Sequence, residues 1–237
     1  MPVRLIAAIY SVVVDALFPL SPAEREALSH ARAPEEALKA LPPAPSYAGT
    51  AVPLPECLSV FAYKDERVSR LIWAVKYKKS AAGARIGGYA LWHALDGALR
   101  SAPGRPAIVV PMPITARRRR ERGFNQCELL ADEMARIENE AAARQNRSLA
   151  FAVDKKLLAR VRHSSRQTLK GRSDRIAGAG GVFAADRKAA QRLKSSAGAA
   201  RIVVIDDVIT TGSTMREAID ALKAAGFGDV RGLSLAH

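Results

Sequence analysis

Cysteines and long apolar runs are both scarce in this 237-residue chain, and each shortage excludes a class of protein. The two cysteines, Cys57 and Cys127, have no histidine pair nearby, so they form neither a tetrahedral zinc centre nor a disulfide framework. The longest apolar run, Leu5 to Val14, has ten residues, whereas a membrane-spanning helix needs about 20. No small-residue cleavage site of the kind found in secretion signals follows it. We therefore expect a soluble, reduced, cytoplasmic protein that makes no membrane contact.

Acidic residues are outnumbered, because 23 Asp and Glu stand against 37 Lys and Arg, which gives a formal net charge of +14. The excess is concentrated between Arg105 and Arg175, where the chain has 17 basic and 8 acidic residues. From Arg201 to His237 it has 4 basic and 5 acidic residues. A phosphate-rich ligand is therefore expected to meet the middle of the chain, although a solvated basic surface explains the same charges.

The order of the predicted elements indicates an α/β protein. Hydrophobic residues make up 49% of the chain and show no short repeat, which fits one large domain with a small appendage. Residues 1–56 are predicted to be a helical N-terminal extension with a capping box at Ser21 and a proline-rich linker, and residues 57–237 the main domain. Strands are predicted near 58–63, 107–110, 201–205 and 230–235, and helices near 65–78, 84–99, 126–144 and 213–225. This alternation predicts a mainly parallel sheet flanked by helices.

The most informative segment runs from Val203 to Thr214, where an apolar strand is followed by two acids, a hydroxyl-rich turn and a helix. Ligands of open α/β sheets bind at the carboxyl ends of the strands, and unpaired amides at a helix start favour phosphate. Gly212 lets the backbone approach such a phosphate closely. The carboxylates of Asp206 and Asp207 repel phosphate, so they are better suited to sugar hydroxyls or hydrated Mg²⁺.

This segment resembles the phosphoribosyl pyrophosphate (PRPP) motif of type I phosphoribosyltransferases. The resemblance implies that Asp206 and Asp207 are the catalytic acids that hold the ribose hydroxyls. It implies that the 5′-phosphate is bound by Thr210, Thr211, Gly212, Ser213 and Thr214. It also disfavours hypoxanthine and guanine as acceptors, because that branch of the family carries an acid where Thr210 stands here.

A second segment begins with Val110-Pro111-Met112-Pro113 and continues through an arginine run to Arg122-Gly123-Phe124-Asn125-Gln126. Guanidinium groups suit both pyrophosphate oxygens and nucleic-acid phosphates, although a solvated basic loop is the simpler reading. This segment resembles a motif of the ComF family of competence-associated phosphoribosyltransferase-like proteins. Three other segments resemble motifs of the same family: Trp73-Ala74-Val75-Lys76-Tyr77-Lys78, Arg166-Gln167, and the acid-pair loop, by which we mean Asp206 to Thr214. The four motifs occur in the family's order over about residues 57–237.

The ComF resemblance implies a type I phosphoribosyltransferase core with a small hood. It implies pyrophosphate contacts from Met112, Arg117, Arg122 and Lys76, hood contacts from Arg166, Gln167 and Arg175, and Mg²⁺ as cofactor. We predict no protein-bound metal site, because the four-cysteine zinc ribbon that usually begins the family is missing from residues 1–56. The hood asparagine is also missing, since Gly178 stands in its place, which puts catalytic competence in question.

Two functions of different class follow from these expectations. One is an enzyme of nucleotide metabolism that transfers phosphoribosyl from PRPP to a nitrogen nucleophile and releases pyrophosphate. The other is a non-catalytic module of the same fold that handles single-stranded DNA during natural competence and DNA uptake, through the same arginines. A third role, as partner of a competence helicase, rests on the resemblance alone. The acceptor, turnover and oligomeric state are left open, with a homodimer as one candidate assembly.

Overall fold

The protein is built around a five-stranded parallel sheet, seen in a computed structural model that describes residues 21–44, 56–101, 106–161, 176–177, 181–197 and 200–237. Its strands are β1 Cys57–Phe61, β2 Ala107–Pro111, β3 Phe151–Val153, β7 Arg201–Val208 and β8 Val230–Ala236. Across the sheet they lie in the order β1-β8-β7-β2-β3. The predicted α/β architecture is therefore confirmed.

Helices cover both faces of this sheet. They are α1 Pro22–Ser29, α2 Pro34–Ala40, α3 Glu66–Lys78, α4 Ala81–Ser101, α5 Ala116–Arg122, α6 Gln126–Arg144, α7 Arg187–Ala197 and α8 Ser213–Ala224. Side chains on β7 alternate between two core clusters, with Val203 and Ile205 in one and Ile202 and Val204 in the other. A strand buried on both faces is continuously apolar, which explains the run seen in the sequence.

A second, three-stranded antiparallel sheet corresponds to the expected hood. It has the order β4-β6-β5, formed by β4 Leu158–Arg160, β5 Ile176–Ala177 and β6 Phe183–Asp186. Its strands are short, and the sequence analysis did not assign them. It also did not assign α7, an amphipathic helix whose buried residues include Ala189, Ala190 and Leu193.

The N-terminal extension packs against the main domain. Helix α1 begins as predicted, with the Ser21 side chain accepting a hydrogen bond from the Glu24 amide at 3.1 Å. Ala27 and Ala37 are completely buried in the same core cluster as the α3 residues Val68 and Leu71. Pro43 pairs with Phe61 at the edge of the sheet. Residues 21–44 therefore share a hydrophobic core with the domain, and the boundary at residues 56/57 stays a prediction.

Within the described ranges, no helix combines the length and the apolar character needed to cross a membrane.

Candidate functional site

The candidate site lies at the edge of the sheet where the parallel strands end. The Met112 amide donates to the Ile205 carbonyl at 2.9 Å, which places the turn after β2 beside the end of β7. The Ile209 amide donates to the Ala236 carbonyl at 3.0 Å, so the loop after β7 is also tied to the end of β8. The two predicted ligand-binding turns are therefore neighbours.

Asp206 and Asp207 occupy the carboxyl end of β7, and one carboxylate oxygen of each lies within 4.8 Å of the other. Asp207 is buried, and its Oδ2 lies 2.6 Å from the Lys76 Nζ at the end of α3. Its Oδ1 accepts a 3.4 Å hydrogen bond from the Gln126 side chain at the start of α6. Among the described residues, that Oδ2 has no hydrogen-bond donor besides the Lys76 ammonium.

These contacts shift the pKa values of the two acids in opposite directions. Burial favours the neutral form of Asp207, but the attraction and hydrogen bond of Lys76 outweigh it and hold the carboxyl pKa below its usual value. Burial together with the Asp207 charge raises the pKa of Asp206 well above its usual value. Burial also opposes the charge of Lys76, yet Asp207 and Asp206 leave its pKa raised. Of the two acids, Asp207 is therefore the one whose charge the site stabilises.

Cys127 completes this cluster. Its thiol is fully buried and donates to the Asp206 Oδ1 at 3.4 Å, and burial and the two acids raise its pKa well above its usual value. One ligand atom from each of Cys127, Asp206 and Asp207 lies within 4.8 Å of the others. A protonated thiol and a nearby ammonium disfavour a closed metal cage, but two carboxylates can contact an ion that arrives on a phosphate ligand.

The hydroxyl loop leads from β7 directly into α8. Gly212 has φ of 85°, a left-handed conformation that glycine adopts without strain, and it is the N-cap residue of the helix. The Thr211 and Ser213 hydroxyls lie 3.1 Å apart, and Thr210, Thr211, Ser213 and Thr214 are exposed. Hydroxyl donors and the first amides of a twelve-residue helix therefore share one exposed surface, the arrangement that stabilises phosphate.

The arginine run is a helix, α5, to which the sequence analysis assigned no element. The Thr115 side chain caps it by accepting from the Arg118 amide at 3.1 Å, and Gly123 ends it with φ of 76°. A seven-residue helix with no buried residue has no apolar periodicity by which it could have been predicted. Arg117 is exposed and pairs with Glu121 at 2.6 Å.

Arg122, in contrast, faces the acid pair. Its guanidinium lies 4.8 Å from the centre of the Tyr77 ring and donates to the Gln126 Oε1 at 3.3 Å. Gln126 in turn contacts Asp207, so Arg122 is linked to the acid through one side chain. The two predicted pyrophosphate arginines therefore differ, because only Arg122 is directed toward the cluster.

The asparagine that follows the arginine helix holds the turn after β2. The Asn125 amide group donates to the Met112 carbonyl at 3.0 Å, and its oxygen accepts from the Cys127 amide at 3.0 Å. Because the Met112 amide donates to the Ile205 carbonyl, both backbone polar groups of Met112 are already hydrogen-bonded.

The structure brings only some of the site residues predicted from the sequence together. Asp206, Asp207, Lys76 and the hydroxyl loop meet at one edge, whereas Arg166, Gln167 and Arg175 lie outside the described residues. Sequence reasoning did not assign Gln126 or Cys127 to the acid pair. The available signal was their position directly after the Arg-Gly-Phe-Asn segment, at the start of a helix.

Comparison with known proteins agrees with this geometry. A family model described as a phosphoribosyl transferase domain matches residues 140–235, which include β7, the hydroxyl loop and α8. Competence protein F of Haemophilus influenzae is 28% identical over 141 residues, covering 56% of this chain and 51% of that protein. The chain thus spans about half the length of the curated relative that it matches. With the fold and the acid-pair loop, these findings show that the chain has a type I phosphoribosyltransferase-like fold and is similar to a competence protein.

Proposed function

We propose that the protein binds PRPP with Mg²⁺ and transfers its phosphoribosyl group to a nitrogen nucleophile, releasing pyrophosphate. The observation that carries this proposal is the buried acid pair at the end of β7, placed directly before the exposed hydroxyl loop at the start of α8. An ordinary strand-to-helix turn has no reason to bury a carboxylate against Lys76 and Gln126. Burying such a group has a cost in stability, which suggests that it has a function.

In this proposal the 5′-phosphate lies against residues 210–214, and the ribose hydroxyls contact Asp206 and Asp207. A carboxylate oxygen accepts hydrogen bonds, and the two neighbouring hydroxyls of a ribose can each donate one, so the pair suits a diol. Arg122 is the closer of the two arginine candidates for pyrophosphate, since it is linked to the acid pair through Gln126. Lys76 provides a second cation at the same edge.

The chemistry requires positioning more than a covalent nucleophile. Departure of pyrophosphate builds positive charge on the ribose ring, and fixed charges aimed at that ring lower the barrier. The Asp207 carboxylate is held by Lys76 and Gln126, so it does not need to reorganise as this charge develops. When bound, Mg²⁺ supplies positive charge to the departing pyrophosphate oxygens, and Asp206 and Asp207 are the residues that would contact its hydration shell.

Titration calorimetry of PRPP with Mg²⁺ tests this proposal, comparing the wild type with the Asp206→Asn/Asp207→Asn double variant. We expect micromolar binding that the double variant loses. Asp220→Asn is the matched control, because Asp220 is an exposed acid on α8, outside the acid pair. No heat and no thermal stabilisation of the wild type at millimolar PRPP would show that the loop keeps its shape without this ligand.

A specific feature also supports the DNA-binding alternative. Helix α5 exposes Arg118 and Arg120, and within the described ranges neither of them takes part in an ion pair, in contrast to Arg117 and Arg119. The relative carries the name Competence protein F, and natural competence is the setting that the sequence analysis gave to this alternative. Under this alternative the arginine helix contacts the phosphates of a single strand.

The two functions differ in their dependence on salt. Binding of an oligonucleotide should weaken steeply as salt rises, and removing two phosphate contacts makes the log–log slope shallower by about 1.4. We expect Arg118→Ala/Arg120→Ala to show that change if α5 binds DNA. Asp207→Asn should abolish PRPP binding and leave DNA binding intact. A double arginine variant with an unchanged slope would exclude α5 as the DNA surface.

A further inference from the structure

His237 follows β8 at the sheet edge that carries the acid pair and the hydroxyl loop. Its amide donates to the Phe61 carbonyl at 3.1 Å, and its backbone oxygen accepts from the Tyr63 amide at 2.8 Å. This is the pattern of a parallel ladder, so His237 continues the pairing of β8 with β1 by one residue. The backbone of His237 is therefore held in place by β1, and its side chain projects from a fixed point.

The ring of His237 contacts Ile209, the residue that joins β7 to the hydroxyl loop. Its Nδ1 lies 2.9 Å from the Ile209 carbonyl oxygen. Because a carbonyl oxygen can only accept a hydrogen bond, this contact assigns a proton to Nδ1 and makes the ring the donor. The Ile209 amide in turn donates to the Ala236 carbonyl at 3.0 Å. Both backbone polar groups of Ile209 are therefore held by two successive residues at the end of β8.

This contact also sets the direction of the Thr210 amide. The Ile209 carbonyl and the Thr210 N–H belong to the same planar peptide unit, and in a trans peptide the two groups point in opposite directions. Since the Ile209 carbonyl points to the His237 ring, the Thr210 N–H points away from it. Thr210 is exposed, and it is the first residue of the segment 210–214 on which the proposed function places the 5′-phosphate. His237 thus orients the first amide of that segment.

The amides that follow Ile209 are available for a ligand. Within the described part of the chain, the N–H groups of Thr210, Thr211 and Gly212 donate to no protein acceptor. Successive amides of this kind favour an anion, whereas a carbonyl oxygen turned into the same loop would repel it. Rotation of the peptide unit between Ile209 and Thr210 would exchange the N–H for the carbonyl. The hydrogen bond from His237 opposes that rotation, so it keeps the donor on the side of the loop.

We propose that His237 is a positioning residue for the 5′-phosphate, because it holds the peptide unit after Ile209 so that the Thr210 amide faces the phosphate. The inference rests on the proposed function, which places that phosphate on residues 210–214. His237 acts through a carbonyl oxygen of the protein, so its effect should be confined to the phosphate that the loop holds. The pyrophosphate end of PRPP, which the proposed function gives to Arg122 and Lys76, should be unaffected.

Two fragments of PRPP separate the two ends of the ligand. Ribose 5-phosphate carries the 5′-phosphate and the diol, whereas inorganic pyrophosphate with Mg²⁺ carries neither. The affinity for each fragment is measured by titration with phosphorus NMR, which also detects weak binding, for the wild type and for His237→Ala. We expect His237→Ala to weaken the binding of ribose 5-phosphate about 2- to 10-fold, the usual effect of losing one hydrogen bond. Its affinity for pyrophosphate should equal that of the wild type.

Further variants distinguish positioning from general structural support. His237→Asn keeps a donor, because the asparagine amide nitrogen occupies about the position of the histidine Nδ1, and it should restore the affinity for ribose 5-phosphate. His237→Leu keeps apolar volume without a donor, and it replaces His237→Ala if that variant fails to melt cooperatively. His93→Ala is the matched control, because His93 is an exposed histidine on α4 whose ring lies against Tyr89. It should bind both fragments as the wild type does.

Each outcome separates this inference from the proposed function. If the wild type binds PRPP by calorimetry and His237→Ala binds ribose 5-phosphate as tightly as the wild type, the positioning role is overturned and the transferase proposal stands. If His237→Ala weakens both fragments alike, or His237→Asn restores nothing, His237 supports the sheet edge in general and the inference is also overturned. A wild type that binds no ribose 5-phosphate overturns it as well. If ribose 5-phosphate binding depends on His237 as expected but PRPP gives no heat, the role of His237 at the loop stands and the transferase falls.

Discussion

Replacing Lys76 with methionine removes the one ammonium that, among the residues the structure describes, contacts the buried Asp207 carboxylate. The two groups are 2.6 Å apart, and their side chains are 25% and 6% exposed. Removing one partner of a buried ion pair costs about 3–5 kcal/mol, because the other charge is left without compensation. Since a quarter of the Lys76 side chain reaches solvent, water can replace part of the contact, and we expect a loss of about 2–3 kcal/mol. For a domain of this size, that lowers Tm by about 4–12 °C.

The effect should depend on pH in a defined direction. In the wild type the pKa of Asp207 is lowered, so its contribution to stability is present above the unfolded carboxyl pKa and is lost on acidification through the folded value. In Lys76→Met only burial and the remaining hydrogen bonds act on Asp207, and burial raises its pKa. The variant carboxyl then takes up a proton in mild acid, so the loss of stability should be largest near about pH 8 and smaller near about pH 5.

Urea unfolding at the two pH values measures this difference. Lys188→Met is the matched control, because Lys188 is exposed on α7, and its substitution should change the free energy of unfolding by less than about 0.5 kcal/mol. The double variant Lys76→Met/Asp207→Asn should recover most of the lost stability. If Lys76→Met loses the same free energy at both pH values, or if Asp207→Asn restores none of it, the reasoning about this ion pair is refuted.

Three further predictions concern other parts of the fold. Glu24→Gln leaves the Lys78 ammonium without its nearly buried carboxylate at 3.1 Å, and chemical unfolding should show a loss of roughly 2–4 kcal/mol; an unchanged midpoint would mean that this ion pair adds nothing to the stability of the domain. Gly232→Ala places a methyl group 2.5 Å from the Cys57 Sγ, so we expect overpacking to lower the free energy of unfolding by about 1–3 kcal/mol in the same assay. A variant as stable as the wild type would contradict the packing described here. Burial raises the pKa of Cys57 to about 11, so at about pH 8 only about a thousandth of this thiol is ionised. Cys57 and the buried Cys127 should therefore react quickly with a disulfide reagent only after the protein unfolds. Rapid reaction of the native protein would refute this prediction.

Local patterns were sufficient to predict the strand, loop and helix that build the phosphate site. Strand β7, the turn at Gly212 and helix α8 are consecutive in the chain, and each has its own signal: an apolar run, a glycine and an amphipathic period. Helix α6 was predicted to its exact bounds because Asn125 caps it and its apolar residues recur at helical spacing.

The partners of the acid pair could not be read from the sequence in the same way. Gln126 and Asp207 are 81 residues apart, and their contact depends on α6 beginning directly behind the end of β7. Lys76 was equally compatible with a solvated helix end until the fold placed its ammonium on Asp207. Helix α5 was not predicted for a different reason. None of its seven residues is buried, so its sequence has no apolar residues at helical spacing.

The last turn of α3 joins three regions that the sequence analysis treated separately. Lys76 contacts the acid pair, Tyr77 packs against Arg122 of the arginine helix, and Lys78 pairs with Glu24 of the N-terminal extension. Successive residues on a helix point about 100° apart, so three neighbours can reach three different partners only if those partners surround the helix end. We therefore expect a change in the extension at Glu24 to affect the ring of Trp73 through Lys78, whose ammonium lies over it. The extension should in this way support the end of α3 and the acid pair, so its removal should weaken ligand binding as well as lower the stability.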